Sequence, residues 1–246
     1  MHNSITEKIN AYYDAIRNGE EGDSQSRYRS WDYCHKAFLD AHKKQQAGEL
    51  LSDEAIDFLA LHLAFFLASW GMYRASSFLL QRDYKTHIPA VELIMKSEYD
   101  ILWNLDPKQG NIDGCLDLLF GKGNSRGLGR QDGLIRKLIR AYKSKTDTEA
   151  SVTLVTKILL GTFGCLPAYD SYLKSAISHL RKTEIADFSG VAQKPNRRSC
   201  KLLFGIVSKE DAFYPKDIAY PPMKCLDMFL WQIGKELNNK KRQNAQ

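Results

Sequence analysis

The sequence lacks the segments that export or membrane insertion would need. Residues 1–22, "MHNSITEKINAYYDAIRNGEEG", contain no apolar stretch of the kind found in a secretory signal peptide. The most apolar segment, residues 58–73, includes His62, Ser69 and Gly71 and falls short of the roughly 20 apolar residues that span a bilayer. We therefore expect a protein that is not exported and that has no membrane partner.

The sequence also lacks a metal-binding pattern. Its five cysteines are scattered and form no C-x-x-C pair, which argues for reduced thiols in a cytoplasm and against structural zinc. His35 and His42 share a helix face, but no carboxylate or third ligand completes a metal site. His87 and His179 are interpreted as ordinary surface or near-terminal residues. We therefore expect a cytoplasmic protein without a metal or other cofactor.

Hydrolase and nucleotide-binding motifs are missing as well. The sequence contains no G-x-S-x-G, H-E-x-x-H or Cys/His signature. The stretch "GKGNSRGLG" at residues 121–129 lacks both G-x-G-x-x-G and a G-K-[ST] ending, so it is not a nucleotide-binding fingerprint. These absences remove support for hydrolase and metalloprotease functions.

Helix signals, by contrast, run along the whole chain. Helix caps and three-to-four-residue apolar spacing predict an all-α protein, a compact array of roughly nine or ten helices. Ser52 is expected to cap a long helix that reaches about Gln81, with residues 58–80 as the central buried helix. The short apolar run "KLLFGIV", residues 201–207, is open to interpretation as a lone strand. We expect one domain over residues 1–246, or two helical subdomains divided within the glycine-rich segment 121–133.

Basic residues concentrate in one segment. Residues 121–145 carry eight basic side chains against Asp132 alone, whereas the whole chain has a net charge of only +6. A second basic cluster follows around residues 194–201. The candidate nucleic-acid-binding residues drawn from the two clusters are Lys122, Arg126, Arg130, Arg136, Arg140, Lys143, Arg197 and Arg198.

Two interpretations of these basic residues are open. Arg136, Arg140 and Lys143 fall on one face of an amphipathic helix, an arrangement typical of a grip on a phosphate backbone. Tyr214 or Tyr220 would be candidate groups for stacking on bases. The alternative is a solvated basic face that needs no ligand.

One aspartate stands at the start of a helix after a proline turn. The stretch "TKILLGTFGCLPAYDSYLKSAI", residues 156–177, resembles the helix, turn and aspartate-headed helix of helix-hairpin-helix DNA glycosylases, and more closely their glycosylase-like bacterial relatives. The resemblance implies that Asp170 lies in a base pocket and stabilises a cationic transition state at the sugar. It makes Lys157 the candidate nucleophilic lysine, although the L-P-G-x-G hairpin that normally holds that lysine is absent. DNA rather than RNA is then the expected partner.

Asp170 also has a purely structural interpretation. It stands where an N-cap belongs, with a carboxylate able to accept a backbone N–H from the next turn and to interact favourably with the helix dipole. A cap and a catalyst are not exclusive. The sequence therefore leaves two function classes open: a DNA-binding, base-processing enzyme, or a non-enzymatic helical module that binds another protein. It leaves the oligomeric state open as well.

Overall fold

Helices make up the secondary structure of this chain. A computed structural model describes residues 2–17, 26–75, 77–103, 105–122, 132–183 and 188–244. Within these ranges the chain forms ten α-helices and no strand, which confirms the predicted all-α fold. They are α1 (His2–Arg17), α2 (Ser30–Gln46), α3 (Asp53–Ser69), α4 (Ile88–Ile94), α5 (Ile112–Phe120), α6 (Leu134–Thr146), α7 (Val152–Gly161), α8 (Ser171–Leu180), α9 (Arg197–Lys209) and α10 (Pro222–Gln243). Short 3₁₀ helices cover Ser26–Arg29, Phe78–Gln81, Tyr84–His87, Ser97–Leu102 and Asp211–Phe213.

Side-chain caps fix where several helices begin. Ser52 accepts the backbone N–H of Ala55 at the start of α3, as predicted. Ser151 and Asn196 do the same for the backbone N–H groups three residues further on, at the starts of α7 and α9. Such a cap satisfies a donor that has no partner within the helix. The cap at Asn196 starts a helix that contains "KLLFGIV", so the interpretation of that run as a strand is wrong.

The centre of the fold is α7. Eight consecutive residues, from Leu154 to Gly161, are buried, and α7 packs against α2, α3 and α6. The predicted central helix over residues 58–80 is wrong in its extent. α3 ends at Ser69, because Gly71 adopts a left-handed conformation with φ of 72°, which a continuing α-helix does not allow.

The outer face of α3 also departs from the prediction. Phe58, Leu61 and Phe65 are each about half exposed, at 54%, 51% and 52%. Their apolar surface remains in water because no described element covers it. α3 is therefore a half-buried helix beside the central one.

α10 and α8 make the closest helix contact near the candidate site. A Cβ atom on Gly234 of α10 would lie only 2.2 Å from the backbone carbonyl oxygen of Tyr172 in α8. Glycine is required there because backbone atoms cannot yield as a flexible side chain can.

The predicted subdomain boundary falls largely on residues that are not described. Of segment 121–133, residues 123–131 lie outside the described ranges. The helices on its two sides, α5 and α6, pack against each other. Among the described helices none is long and apolar enough to span a bilayer.

Candidate active site

Asp170 is a helix N-cap, as predicted. Its backbone is extended, and its Oδ1 accepts the backbone N–H of Leu173 at 3.1 Å. The carboxylate therefore stands at the positive end of the α8 dipole. Only one of its two oxygens is used in capping, which leaves Oδ2 for another contact.

Oδ2 of Asp170 pairs with Lys157. The Nζ atom of Lys157 lies 3.6 Å from it, and the two side chains are only 5% and 16% exposed. The same Nζ donates to the backbone carbonyl oxygen of Trp70 at 3.2 Å and lies 5.1 Å from the centre of the Trp70 ring. The structure thus brings together the two residues that the sequence analysis named as candidate catalysts.

Hydrogen bonds from α7 hold the Asp170 segment in place. The backbone N–H of Tyr169 donates to Oγ1 of Thr156 at 3.0 Å, and Oγ1 of Thr153 donates to the backbone carbonyl of Tyr169 at 3.0 Å. These bonds fix the turn against the helix that carries Lys157. The distance between the two charged groups is therefore set by backbone contacts as well as by their own attraction.

Burial changes the acid–base properties of the lysine. Removal from water lowers the pKa of Lys157, and the nearby Asp170 carboxylate opposes that shift. Desolvation dominates because an ammonium ion is poorly solvated inside a protein. Lys157 is consequently easier to deprotonate than a surface lysine, which is the condition for a nucleophilic amine.

A second buried ion pair lies beneath the first. Nζ of Lys224 is 3.2 Å from Oδ2 of Asp227, and the two side chains are 1% and 4% exposed. Oδ1 of Asp227 accepts the backbone N–H of Ala168 at 3.0 Å, so this pair also anchors the turn before Asp170. Burial raises the pKa of Asp227, while Lys224 opposes the shift.

Trp70 joins the two pairs. The centre of its ring lies 5.1 Å from Nζ of Lys157 and 5.3 Å from Nζ of Lys224, within the range of a cation–π contact. The sequence analysis missed Lys224 and Asp227. A signal was present, because they are the only charged residues in the apolar run "PPMKCLDMFLWQIG", residues 221–234.

The Lys157–Asp170 pair lies at the floor of a cavity of about 750 Å³. This volume is within the range of small-molecule sites, about 300–1,000 Å³. Aromatic rings of Tyr28, Trp70, Tyr172 and Trp231 form its wall. The rings touch one another, with centroids 4.6 Å apart for Tyr28 and Trp70 and 5.4 Å apart for Tyr172 and Trp231.

The cavity is strongly cationic. Its lining holds Arg27, Arg74, Lys174 and Arg242 in addition to Lys157, whereas Asp170 is the sole carboxylate among the described lining residues. An anion entering the cavity would therefore meet an attractive potential.

The predicted nucleic-acid-binding residues lie elsewhere. Arg136 and Arg140 both pair with Asp132, and Lys143 pairs with Glu149. None of the described residues of 121–145 lines the cavity. Lys122 is exposed, and Arg126 and Arg130 lie outside the described residues.

The second basic cluster belongs to α9. Arg197 pairs with Asp113 and Asp117 on α5, and Arg198 is exposed. α5 packs against both α6 and α9. The two clusters thus flank an acidic helix, and most of their described members already have carboxylate partners.

The aromatic residues named as stacking candidates serve in packing. The Tyr214 hydroxyl donates to Asp106, and the Tyr220 hydroxyl donates to Asp32. Nζ of Lys108 lies 4.1 Å from the centre of the Tyr214 ring. These bonds orient both rings toward the protein.

The prediction that His87 is a surface residue is wrong. It is fully buried, and its two ring nitrogens lie 2.6 Å and 2.5 Å from the hydroxyls of Tyr73 and Tyr142. His42 is also buried and stacks on Trp103. In the described part of the chain, no group of His, Cys, Asp and Glu side chains has the geometry to hold a metal ion.

Comparison with known proteins adds no assignment: no family model, no curated protein and no solved structure matches this chain. The site is therefore interpreted from its own chemistry.

Proposed function

We propose that this protein binds nucleic acid, DNA in preference to RNA, and is a glycosylase-like enzyme that processes a base. The observation that carries the proposal is the buried Lys157–Asp170 pair at the floor of a cationic, aromatic-walled cavity. A base rotated out of a duplex needs a pocket with aromatic surfaces for stacking. The cavity meets that requirement in size and in lining.

Asp170 would act on charge that develops at the sugar. Loss of a base leaves positive charge on the sugar ring, and a fixed carboxylate in a partly dry site stabilises that charge. The cap bond to Leu173 and the turn anchored by Thr156 hold this carboxylate in place before substrate arrives. Such preorganisation is what electrostatic catalysis requires.

Lys157 offers a second route within the same proposal. Its amine, once neutral, would attack the sugar carbon that bears the base. The new carbon–nitrogen bond would form as the bond to the base breaks, and the departing base would take one proton from the attacking nitrogen. The carbon–oxygen bond of the sugar ring would then break as the carbon–nitrogen double bond of a Schiff base forms, and the second nitrogen proton would pass to the ring oxygen.

The test compares three proteins on duplexes that contain damaged or mismatched bases. Wild type should release a base, Asp170→Asn should not, and borohydride should trap a covalent complex with wild type and not with Lys157→Ala. Asp217→Asn, which removes an exposed carboxylate outside the cavity, is the control. Base release by Asp170→Asn at the wild-type rate would contradict the catalytic role.

The grip on the phosphate backbone by α6 stays a prediction and has its own test. Replacing Arg136, Arg140 and Lys143 together with alanine should weaken duplex binding and flatten its salt dependence. The charges face away from the apolar stripe of α6, so thermal stability should change little. Unchanged affinity in the triple variant would favour a solvated basic face.

One observation favours the alternative function, a helical module that binds another protein. Phe58 of α3, Tyr33 of α2 and Leu50, each more than half exposed, line a groove of about 760 Å³ between α2 and α3. Exposed apolar surface of this kind often marks a contact with a partner. Nucleic-acid affinity that falls steeply with salt would support the base-processing enzyme. Absence of binding at every salt concentration would support the protein-binding module instead.

A further inference from the structure

Four cations besides Lys157 line the cavity of the candidate active site, and they come from four separate parts of the chain. Arg27 belongs to the 3₁₀ helix before α2, Arg74 follows α3, Lys174 is in α8, and Arg242 is in the last turn of α10. Arg27, Arg74 and Arg242 are exposed. We call these four residues the cationic rim.

The rim differs electrostatically from the basic clusters on α6 and α9. No rim side chain lies within ion-pair distance of a carboxylate in the part of the chain that is described. In contrast, Arg136, Arg140 and Arg197 each have a carboxylate partner. Within the described residues, the rim therefore has charge that no carboxylate neutralises and that could bind a ligand.

Two of the exposed rim arginines make contacts with residues of the cavity lining. Arg27 donates to the Tyr28 hydroxyl at 3.0 Å, and its guanidinium lies 4.9 Å from the centre of that ring. The Arg74 guanidinium packs over Gly71, where its Cζ would be 3.2 Å from an added Cβ. Arg74 is also close enough to Lys157 to lower the pKa of that amine.

We propose that the cationic rim is a phosphate-binding subsite, and that the cavity takes one phosphorylated nucleotide unit with its base against the aromatic wall. The inference rests on the proposed function and deepens it by naming the ligand. Planar guanidinium groups match the geometry of a phosphate through paired N–H donors. Aromatic rings below them match the flat apolar faces of a base.

The two parts of the cavity argue for a nucleotide over a simple anion. An inorganic phosphate would use the rim and make no contact with the faces of the aromatic rings. A nucleoside would use the rings and leave the rim without an anion. A nucleotide satisfies both, whether it is free or part of a strand.

The experiment measures affinity by calorimetry on the full chain, with tryptophan fluorescence as a second readout because Trp70 and Trp231 line the cavity. The probes are deoxyadenosine monophosphate, deoxyadenosine, inorganic phosphate and a single-stranded oligodeoxynucleotide. The test variant is Arg74→Gln with Arg242→Gln. The control is Arg82→Gln with Arg181→Gln, which removes two exposed arginines that do not line the cavity.

Wild type should bind the monophosphate more tightly than deoxyadenosine or inorganic phosphate. Each rim arginine lost should weaken monophosphate binding about tenfold, as expected for a charged hydrogen bond. Deoxyadenosine binding should stay within about twofold, because its contacts are with the rings. The control variant should bind the monophosphate as wild type does.

The outcomes separate this inference from the function on which it rests. Equal affinity for nucleoside and nucleotide, equal losses in the control, or no binding of any probe would overturn the subsite. Oligonucleotide binding that rim variants leave unchanged overturns the subsite and preserves nucleic-acid binding. Rim-dependent binding of the monophosphate without oligonucleotide binding supports the subsite, identifies a free nucleotide as its ligand, and contradicts the proposed function.

Discussion

The ion pair between Lys157 and Asp170 predicts how the two side chains contribute jointly to stability. We consider Asp170→Asn, Lys157→Met and the double variant. Asparagine caps a helix about as well as aspartate, so Asp170→Asn keeps the bond to Leu173 and removes the charge. Lys157→Met replaces the ammonium with an apolar chain of similar length.

The expected magnitudes follow from burial. Loss of one partner of a fully buried pair costs about 3–5 kcal/mol. Asp170 is 16% exposed, so water can partly solvate the remaining ammonium and we expect about 2 kcal/mol for Asp170→Asn. With Lys157 already replaced, Asp170→Asn should cost only about 0.5 kcal/mol, the loss of the charge–dipole interaction. The difference is a coupling of about 1.5 kcal/mol.

Urea denaturation of all four proteins at pH 7 measures this coupling from the free energies of unfolding. The matched control is the pair Arg140–Asp132, whose side chains are 62% and 22% exposed. An exposed pair of this kind should give a coupling below about 1 kcal/mol. Additive effects of Asp170→Asn and Lys157→Met, within about 0.5 kcal/mol, would refute the reasoning that the pair acts as a unit.

Three further predictions concern stability. Lys224→Met should destabilise the protein by about 3–5 kcal/mol because Asp227 loses its partner, and adding Asp227→Asn should recover part of that loss in urea denaturation; no recovery would contradict the pair. Burial lowers the pKa of His87 to about 3, so the stability from the neutral ring is present above about pH 6.5 and lost as pH falls, by about 3 kcal/mol at pH 4.5. His87→Gln should flatten that decline, and an equal decline in the variant would count against it. Gly234→Ala should lower stability by about 1–3 kcal/mol through overpacking, whereas Gly205→Ala, with open space around it, should raise it by up to about 1 kcal/mol; equal effects would argue against a close contact of α8 and α10.

The cap at Asp170 could be predicted from the sequence, whereas the burial of His87 could not. The cap was predictable because it involves residues within one helical turn, and Asp170 contacts Leu173 directly. The burial of His87 could not be predicted in this way, because its hydrogen-bond partner, the hydroxyl of Tyr142, lies 55 residues further along the chain. Polar residues can be buried wherever a distant partner satisfies them.

The length of α3 was predicted wrongly from the apolar run of the sequence. The apolar run suggested a helix to about Gln81, but the chain turns at Gly71 and forms a separate 3₁₀ helix from Phe78. Composition favoured burial of the whole segment. The helices that pack against α3 decide which of its faces meets the core and which face, with Phe65 half exposed, stays in water. Composition does not specify those neighbours.

The sequence by itself determined the helical class and the caps at Ser52 and Asp170, because these depend on interactions within a few residues. It also nominated Lys157 and Asp170 through a resemblance. Tertiary structure alone decided that they form a buried pair, that Lys224 and Asp227 form a second buried pair nearby, and that the cavity is lined by cations without a carboxylate partner among the described residues. These features depend on contacts between distant segments: Lys157 meets a carbonyl 87 residues away, that of Trp70. Helix packing fixes which charges meet and which stay unpaired, and charge counts along the chain do not contain that information.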